Sequence, residues 1–240
     1  MTWSIVARDA SGAFGIAIAS RFFAVGLLCP HARSGVGALS TQALVNPLYG
    51  ARGIALLAAG QAPDAIVREL TAADDGRDHR QLHVIDAQGR TATWTGAACI
   101  DWCGHTHGED YSIAGNMLAG PDVIAATAQA YEASAGLPFA ERLLAALDAG
   151  DAAGGDKRGR QAAALLIVDS EEYPALGLRV DDSETPFHEL RRLYEKSLER
   201  FQPFAACLPS RARPAGVTDR VEIDRAVVQF TAARAARAKA

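Results

Sequence analysis

The chain has 240 residues, of which 49% are hydrophobic and 22% are charged, and its formal net charge is -4. This composition suits a globular protein with a sizeable core, because average domains carry about 25% charged residues. A mildly acidic chain lacks the clustered basic face of nucleic-acid-binding domains. No apolar run approaches the roughly 18 residues of a membrane span. We therefore expect neither nucleic acid nor a membrane as a partner.

The start of the chain and its cysteines indicate the compartment. Met1 is not followed by the basic stretch and apolar segment of a signal peptide. Among the four cysteines only Cys99 and Cys103 are close in sequence, which is not a disulfide framework. We expect a cytoplasmic protein with reduced thiols.

The first predicted element is a hairpin. The β-rich runs WSIVAR (3–8) and AFGIAIAS (13–20) are separated by DASG, which supplies turn residues. An antiparallel strand with one wet face alternates between apolar and polar residues, but the second run is apolar at nearly every position. The pattern predicts a strand that is covered on both faces.

Further strands and helices follow in a regular order. The predicted elements are a strand at 36–42, helices at 51–60 and 63–74, a hairpin at 80–96, a strand at 111–116, helices at 121–135 and 138–149, a Gly-rich loop at 149–160, and a hairpin over 163–170 and 175–182. Strands in hairpins and helices in pairs exclude a parallel β-α-β sheet. They predict an α+β fold, a four-layer αββα sandwich of two antiparallel sheets whose first strand is central and buried.

The C-terminal part has a different composition. A charged amphipathic helix at 186–202 is followed by a Pro-rich linker at 203–216 and an Ala-rich helix at 218–240, which Thr218 can cap. The sequence thus predicts a domain at 1–203 and a linker with a helical extension at 204–240. The last helix carries more apolar surface than a free tail needs, and we expect it to support a homodimer or to cover the chain's own domain.

Five stretches carry a resemblance to a known family, and they occur in the family's order: MTWSIVARD, IASRFFAVG, HARSGVGALSTQALVNPLYG, AACIDWCGHTHGEDYSIAGNMLAG and AAGGDKRGRQAAALLIV. Through them, residues 1 to about 195 resemble the bacterial proteins grouped as domain of unknown function 1028. That family is similar in fold to the N-terminal nucleophile (Ntn) hydrolases. The resemblance implies the same αββα sandwich.

The resemblance also implies a position for a nucleophile. In Ntn hydrolases it is the first residue of the first strand, which here is Thr2 once Met1 is removed. A threonine hydroxyl needs an adjacent base, and a free α-amine with a pKa of about 7.7–8.0 can accept its proton. The alternative is that Thr2 is an ordinary strand residue with high β propensity.

Two more residues are candidates for the catalytic centre. Asn116 ends a predicted strand, and its amide can donate to an oxyanion, although Gly120 and Pro121 also suit a turn or a helix cap there. Asp156 precedes a predicted strand and resembles the acidic residue of proteasome-type sites, where it would orient a protonated α-amine. Its alternative role is in a solvated charged loop.

Four polar residues are candidates for substrate binding because they end strands expected beside the nucleophile. Ser20 and Arg21 end the second strand, and Arg21 can hold a substrate carboxylate or form an ion pair with Asp9 or another surface carboxylate. Gln42 and Asn46 end the third strand.

The densest polar cluster is CIDWCGHTHGED, in which His105 and His107 alternate and can share a zinc ion. Because no second ligand pair at metal spacing occurs elsewhere, we expect this segment to be a hydrogen-bonded loop beside the cleft, with no metal and no cofactor.

Taken together, these features predict an Ntn-type amide hydrolase that acts on a small linear or cyclic amide with Thr2 as its nucleophile. The first alternative is a non-catalytic ligand-binding protein on the same fold. The second is a metal-dependent hydrolase centred on His105 and His107.

Overall fold

The computed structural model describes residues 2–237. Its strands are β1 (Thr2–Arg8), β2 (Phe14–Ser20), β3 (Pro30–Arg33), β4 (Gly37–Ala43), β5 (Arg80–Asp86), β6 (Thr91–Thr95), β7 (Trp102–Gly108), β8 (Tyr111–Leu118), β9 (Ala162–Val168) and β10 (Leu176–Val180). Its helices are α1 (Val25–Leu28), α2 (Leu48–Ala58), α3 (Pro63–Ala72), α4 (Asp122–Ala133), α5 (Phe139–Ala152), α6 (Pro186–Glu199), α7 (Phe201–Ala205) and α8 (Arg220–Arg237). None of the helices in this described part has the length and hydropathy of a membrane span.

The described strands form two antiparallel sheets. The larger sheet has the order β10-β9-β2-β1-β8-β7, and the smaller has the order β3-β4-β5-β6. The first strand lies in the middle of the larger sheet, between β2 and β8, and its residues up to Ala7 are buried. The predicted central position of the first strand is confirmed.

Helices cover the outer faces of both sheets. On the smaller sheet, α2 and α3 pack against β4 and β5 through one apolar cluster, whose buried members are Leu39, Tyr49, Leu57, Ile66, Val67, Leu70, Leu82 and Val84. On the larger sheet, α5 approaches β2 so closely that a side chain at Gly15 would meet Leu143 at 2.4 Å. The αββα sandwich is confirmed, and a fully buried β2 confirms that this strand is covered on both faces.

Three segments differ from the prediction made from sequence. The stretch between the predicted strands at 13–20 and 36–42, where the sequence indicated only a loop, contains α1 and β3. The predicted loop with the two histidines is β7, an edge strand. The predicted linker at 203–216 begins inside α7. At the start of α8 the cap is Asp219 rather than Thr218, because the Asp219 carboxylate accepts the Val221 N–H at 2.8 Å.

The chain divides into two compact units, Met1–Leu190 and Arg191–Ala240. The first contains both sheets and the helices that cover them. The second contains α7 and α8, and within it Arg200 forms an ion pair with Asp224 at 3.0 Å. The boundary expected after residue 203 stays a prediction. The removal of Met1 and the last three residues of the predicted C-terminal helix lie outside the described residues.

Candidate functional site

Three of the predicted site residues form a row across the larger sheet. Thr2 begins β1, and Asn116 on β8 is its direct partner in the ladder. Ser20 ends β2 next to the Trp3–Ala19 pair, and the Thr2 hydroxyl donates to the Ser20 hydroxyl at 3.1 Å. The Asn116 amide donates to the Thr2 carbonyl oxygen at 3.3 Å. All three residues are buried, with Thr2 5% exposed.

The predicted residue Gln42 joins this row from the smaller sheet. Its Nε2 lies 3.0 Å from the Ala114 carbonyl oxygen and 3.4 Å from the Thr2 carbonyl oxygen. Gln42 is fully buried in the layer between the sheets. The Thr2 carbonyl oxygen therefore receives side-chain amides from both sheets, which fixes the start of β1 relative to β4.

A buried polar cluster extends from Gln42 through this layer. Its members come from β1, β4, β5 and β8, and the sequence pointed to only Gln42 and Asn116 among them as residues of the site around Thr2. The residues it missed are Ser4, Ser40, Gln81, His83 and Ser112, each 0% exposed. The signal available in the sequence was alternation in β5, where Gln81 and His83 flank Leu82, but such alternation is also typical of a half-exposed strand.

Asp156 is buried, not solvated, so the alternative of a solvated loop is wrong for this residue. Its carboxylate accepts the Arg21 N–H at 2.7 Å and the Arg158 N–H at 2.8 Å. The Arg158 guanidinium lies 3.4 Å from the same carboxylate. Asp156 therefore ties the end of β2, immediately after Ser20, to the loop that precedes β9.

The exposed side chain of Arg21 does not pair with Asp9. Its guanidinium donates to the Arg158 carbonyl oxygen. Asp9 lies in the turn at the opposite end of β2, where its carboxylate accepts the N–H of Ser11 at 2.9 Å. Arg21 thus stays at the Thr2 end of the sandwich, on the rim of the candidate site.

Asn46 is not brought to Thr2. Its amide donates to the Asp74 carboxylate at 3.0 Å, and the same carboxylate accepts from Tyr49 at 2.8 Å and from Arg80 at 3.1 Å. Burial by itself would raise the pKa of Asp74, but these hydrogen bonds outweigh it and hold the pKa well below its usual value. Asn46 belongs to this ion-pair cluster beside α2, which holds the loop after β4 in place.

His105 and His107 lie on the exposed edge strand β7. His105 Nδ1 is 3.0 Å from the Thr95 hydroxyl, and burial together with the nearby His107 lowers the pKa of His105. Within residues 2–237, no group of three or more His, Cys, Asp or Glu side chains is placed to hold a metal ion. His105 extends the polar cluster toward the surface through Thr95, whose hydroxyl accepts from Gln81 Nε2 at 2.9 Å.

Left-handed backbone occurs directly beside two of the site residues. Ala43 follows Gln42 with φ 70°, and Met117 follows Asn116 with φ 54°. Such conformations are costly for residues other than glycine and cluster at functional sites. Here they follow immediately after each amide that contacts Thr2, which adds an independent reason to place the functional site at this end.

Comparison with known proteins finds a family model and solved structures that are similar to this chain. The model of the family of unknown function DUF1028 matches residues 2–190. Protein SPO2555 from Silicibacter pomeroyi, a solved structure, is 32% identical, with 91% of this chain and 96% of that chain covered and a TM-score of 0.85. Anbu (ancestral beta-subunit) from Yersinia bercovieri is 15% identical, with 82% and 94% covered and a TM-score of 0.39. No curated protein matches the chain.

Proposed function

This chain belongs to the family of unknown function DUF1028, and we propose that it is an N-terminal nucleophile hydrolase of small amides in which Thr2 is the nucleophile. The observation that carries the proposal is the environment of Thr2. It begins the central strand, its hydroxyl meets Ser20, and its carbonyl oxygen is held by Asn116 and Gln42. An ordinary strand residue at the start of a strand does not need such a set of contacts.

The proposed reaction starts after Met1 has been removed. The free α-amine of Thr2 takes the hydroxyl proton while the oxygen attacks the carbonyl carbon of the substrate amide. The C–N bond then breaks, the amine product leaves with that proton, and an ester forms on Thr2. Water, activated by the same α-amine, hydrolyses the ester and restores the hydroxyl. The reaction needs no cofactor.

The two other predicted catalytic residues, Asn116 and Asp156, already make hydrogen bonds that limit what they can do in this reaction. Both N–H groups of the Asn116 amide already face acceptors, the Thr2 carbonyl oxygen and Gln81 Oε1 at 3.1 Å. To stabilise an oxyanion, Asn116 must therefore release one of them when substrate binds. Asp156 supports the site by holding the end of β2, with Arg21 at the rim as the candidate contact for a substrate carboxylate.

The test uses protein with a free Thr2, made by co-expression with methionine aminopeptidase and checked by mass spectrometry. A panel of acyl amides, ureido acids and small peptides is tested on this protein, on Thr2→Ala and on Thr2→Ser. We expect turnover by the protein with a free Thr2, no turnover by Thr2→Ala and partial turnover by Thr2→Ser. Protein that retains Met1 is the matched control, because it keeps the hydroxyl but has no basic amine. Full turnover by Thr2→Ala would refute the assignment.

A ligand-binding protein without catalysis is the second candidate function. The observation that favours it is the closure of the site, since Thr2 is 5% exposed and its hydroxyl is engaged by Ser20. This function predicts equal ligand affinity in all of the Thr2 variants and turnover in none. Isothermal titration with each compound of the same panel separates the two candidates.

We also propose that the protein works in the cytoplasm as a homodimer. All of its cysteines, which lie in the described part of the chain, are free thiols. On α8, Val221 and Val228 are 66% and 67% exposed, which leaves apolar surface for a second copy. Light scattering at micromolar concentration, before and after deletion of residues 206–240, tests the proposed dimer. A monomer in both cases would contradict it.

A further inference from the structure

The Gln81 side chain forms hydrogen bonds with groups from both sheets. It lies on β5 and is 0% exposed. Its Oε1 accepts from Gln42 Nε2 at 2.7 Å and from Asn116 Nδ2 at 3.1 Å. These are the two side-chain amides that also donate to the Thr2 carbonyl oxygen, so one oxygen atom contacts both of the groups that hold Thr2.

The orientation of the Gln81 amide is determined by the contacts of its nitrogen atom, Nε2. Nε2 lies 2.8 Å from the Gly115 carbonyl oxygen and 3.1 Å from the Gly104 carbonyl oxygen, and these atoms can only accept. An amide flipped by half a turn would set an oxygen against both carbonyl oxygens. Gln81 Oε1 is therefore fixed as an acceptor toward Gln42 and Asn116.

The orientation of Gln42 follows from the same logic. With Nε2 directed at Gln81 Oε1 and two carbonyl oxygens, Gln42 Oε1 must face the Ser4 hydroxyl, at 2.7 Å. Two oxygen atoms at this distance share a hydrogen, and only Ser4 has one to give. The Ser4 hydrogen is thus committed to Gln42.

Because the Ser4 hydroxyl donates its hydrogen to Gln42, it also determines which ring nitrogen of His83 carries a hydrogen. His83 Nε2 lies 2.8 Å from the Ser4 oxygen, so the hydrogen between them belongs to His83. Nδ1, at 3.2 Å from the Ser112 hydroxyl, is then the acceptor. Burial lowers the pKa of His83 to about 3, which keeps the ring neutral. His83 therefore cannot take a proton from Ser4, which excludes Ser4 as a nucleophile activated by His83.

From this hydrogen-bond order we infer that Gln81 is a positioning residue for Thr2, acting through the amides of Gln42 and Asn116. Each amide has one hydrogen bond to Gln81 and one to the Thr2 carbonyl oxygen. When Gln81 is removed, Gln42 and Asn116 both lose the acceptor that orients their amides, and Gln42 keeps its contacts to Ser4 and Ala114. The start of β1 is then held less firmly, and the Thr2 hydroxyl and α-amine are aimed less well. The catalytic consequence rests on the proposed function, whereas the orientation of the amides does not.

The experiment compares Gln81→Met with Ser112→Ala in protein with a free Thr2. Gln81→Met keeps the length of the side chain and removes its amide. Ser112→Ala is the matched control, because it removes a buried hydrogen bond of the same cluster at His83, away from Gln42, Asn116 and Thr2. The probe for Thr2 is p-nitrophenyl acetate, whose acetyl group moves to the Thr2 oxygen as p-nitrophenolate leaves and the hydroxyl proton passes to the α-amine. The rate of p-nitrophenolate release over a range of pH, minus the rate in Thr2→Ala, which keeps the α-amine, gives the acetylation rate at the Thr2 oxygen.

We expect Gln81→Met to acetylate Thr2 about 100-fold more slowly than the natural sequence, as is typical of a misplacement of about 1 Å at a reacting group. Ser112→Ala should keep the natural rate and pH profile. Gln81→Glu should be intermediate at neutral pH, because burial keeps its carboxyl protonated and so restores one donor and the acceptor. If Gln81→Met does not fold, Gln81→Glu carries the test, and its rate should fall as the carboxyl ionises.

A second measurement does not depend on catalysis. Hydrogen exchange of the side-chain amides of Asn116 and Gln42, followed by nuclear magnetic resonance, should be slow in the natural sequence and in Ser112→Ala, and about tenfold or more faster in Gln81→Met. Unchanged exchange, or a natural acetylation rate in Gln81→Met, would overturn the inference. If Thr2 of the natural sequence is not acetylated at all, the proposed function fails, and the amide exchange alone decides whether Gln81 fixes the two amides.

Discussion

The layer between the two sheets has an apolar half and a polar half. The apolar half lies toward the β1–β2 turn and consists of Val6, Phe14, Ile16, Ala38, Ile85 and Val168. The polar half lies toward Thr2 and consists of Ser4, Ser40, Gln42, Gln81, His83, Ser112 and Asn116. On β1 the change occurs between Ser4 and Val6, which are neighbours on one face of the strand. Both halves are almost completely removed from water.

The difference between the halves indicates what each one does. Apolar side chains contribute about 25 cal/mol for each Å² that they bury, so the apolar half stabilises the sandwich directly. Buried polar groups gain little net free energy even when every partner is present. In residues 2–237, the buried side-chain atoms without a partner are Trp3 Nε1, Gln61 Oε1 and Tyr131 Oη, and none belongs to the polar half. A complete polar network that adds little stability is consistent with a role in fixing the geometry around Thr2 through its members Gln42, Gln81 and Asn116.

The largest change in stability is expected from the apolar half. Ile85→Ala should lower the free energy of unfolding by about 2–5 kcal/mol, because it leaves a cavity where Ile85 is now fully buried. Ile85→Val is the control and should cost about 0.5–1.5 kcal/mol. Urea denaturation gives both values. Acetylation of Thr2 in the folded fraction should not change. A loss of acetylation in Ile85→Val would show that the apolar half also affects the geometry around Thr2.

The next effect is a dependence of stability on pH that comes from His83. Its pKa is 6.5 without the fold and about 3 within it, so between these values the unfolded chain binds a proton that the folded chain does not. The stabilisation is complete above pH 6.5 and is lost as the pH falls, by about 1.4 kcal/mol for each pH unit. Denaturation of the natural sequence and of His83→Leu at pH 7, 5 and 4 should give a stability difference that shrinks toward acid. A constant difference would mean that His83 is not held neutral.

A smaller loss is expected when the network is opened at Ser4. Ser4→Ala leaves Gln42 Oε1 without its donor at 2.7 Å and His83 Nε2 without its acceptor at 2.8 Å. An unpaired buried polar group costs about 1–3 kcal/mol, and we expect a loss in that range in thermal or urea denaturation. An unchanged stability would show that Gln42 and His83 find other partners, and the hydrogen-bond order described above would then be wrong.

The smallest effect is expected at Ser40, in the same polar half. Its hydroxyl is 3.2 Å from the Ser4 oxygen and 3.5 Å from Gln42 Oε1, so both contacts are long. Ser40→Ala should cost no more than about 1 kcal/mol in urea denaturation. A loss as large as that of Ser4→Ala would place Ser40, and not Ser4, at the centre of the hydrogen bonding to Gln42.

The sequence by itself determined the layers of the fold and the identity of the first strand. Turn residues at 9–12 and an unbroken apolar run at 13–19 specify a hairpin with a doubly covered second strand, and these are local properties of the chain. The same hairpin brings Thr2 next to Ser20, the last residue of β2. The resemblance to domain of unknown function 1028 pointed to Thr2 for a chemical reason, whereas Asn46 was chosen by its nearness in sequence and lies instead in the Asp74 cluster.

Only the tertiary structure decided the polar half of the inter-sheet layer. In β5 the alternation of Gln81 and His83 with Leu82 and Val84 has the same period as a strand with one face in water. The pattern cannot distinguish water from a second sheet that supplies hydrogen bonds, because both satisfy polar side chains. That second sheet is formed by strands distant in sequence, with Asn116 on β8 and the Thr2 carbonyl oxygen on β1. Gln81 can be buried between the sheets because its partners in that layer replace the hydrogen bonds that water would otherwise provide.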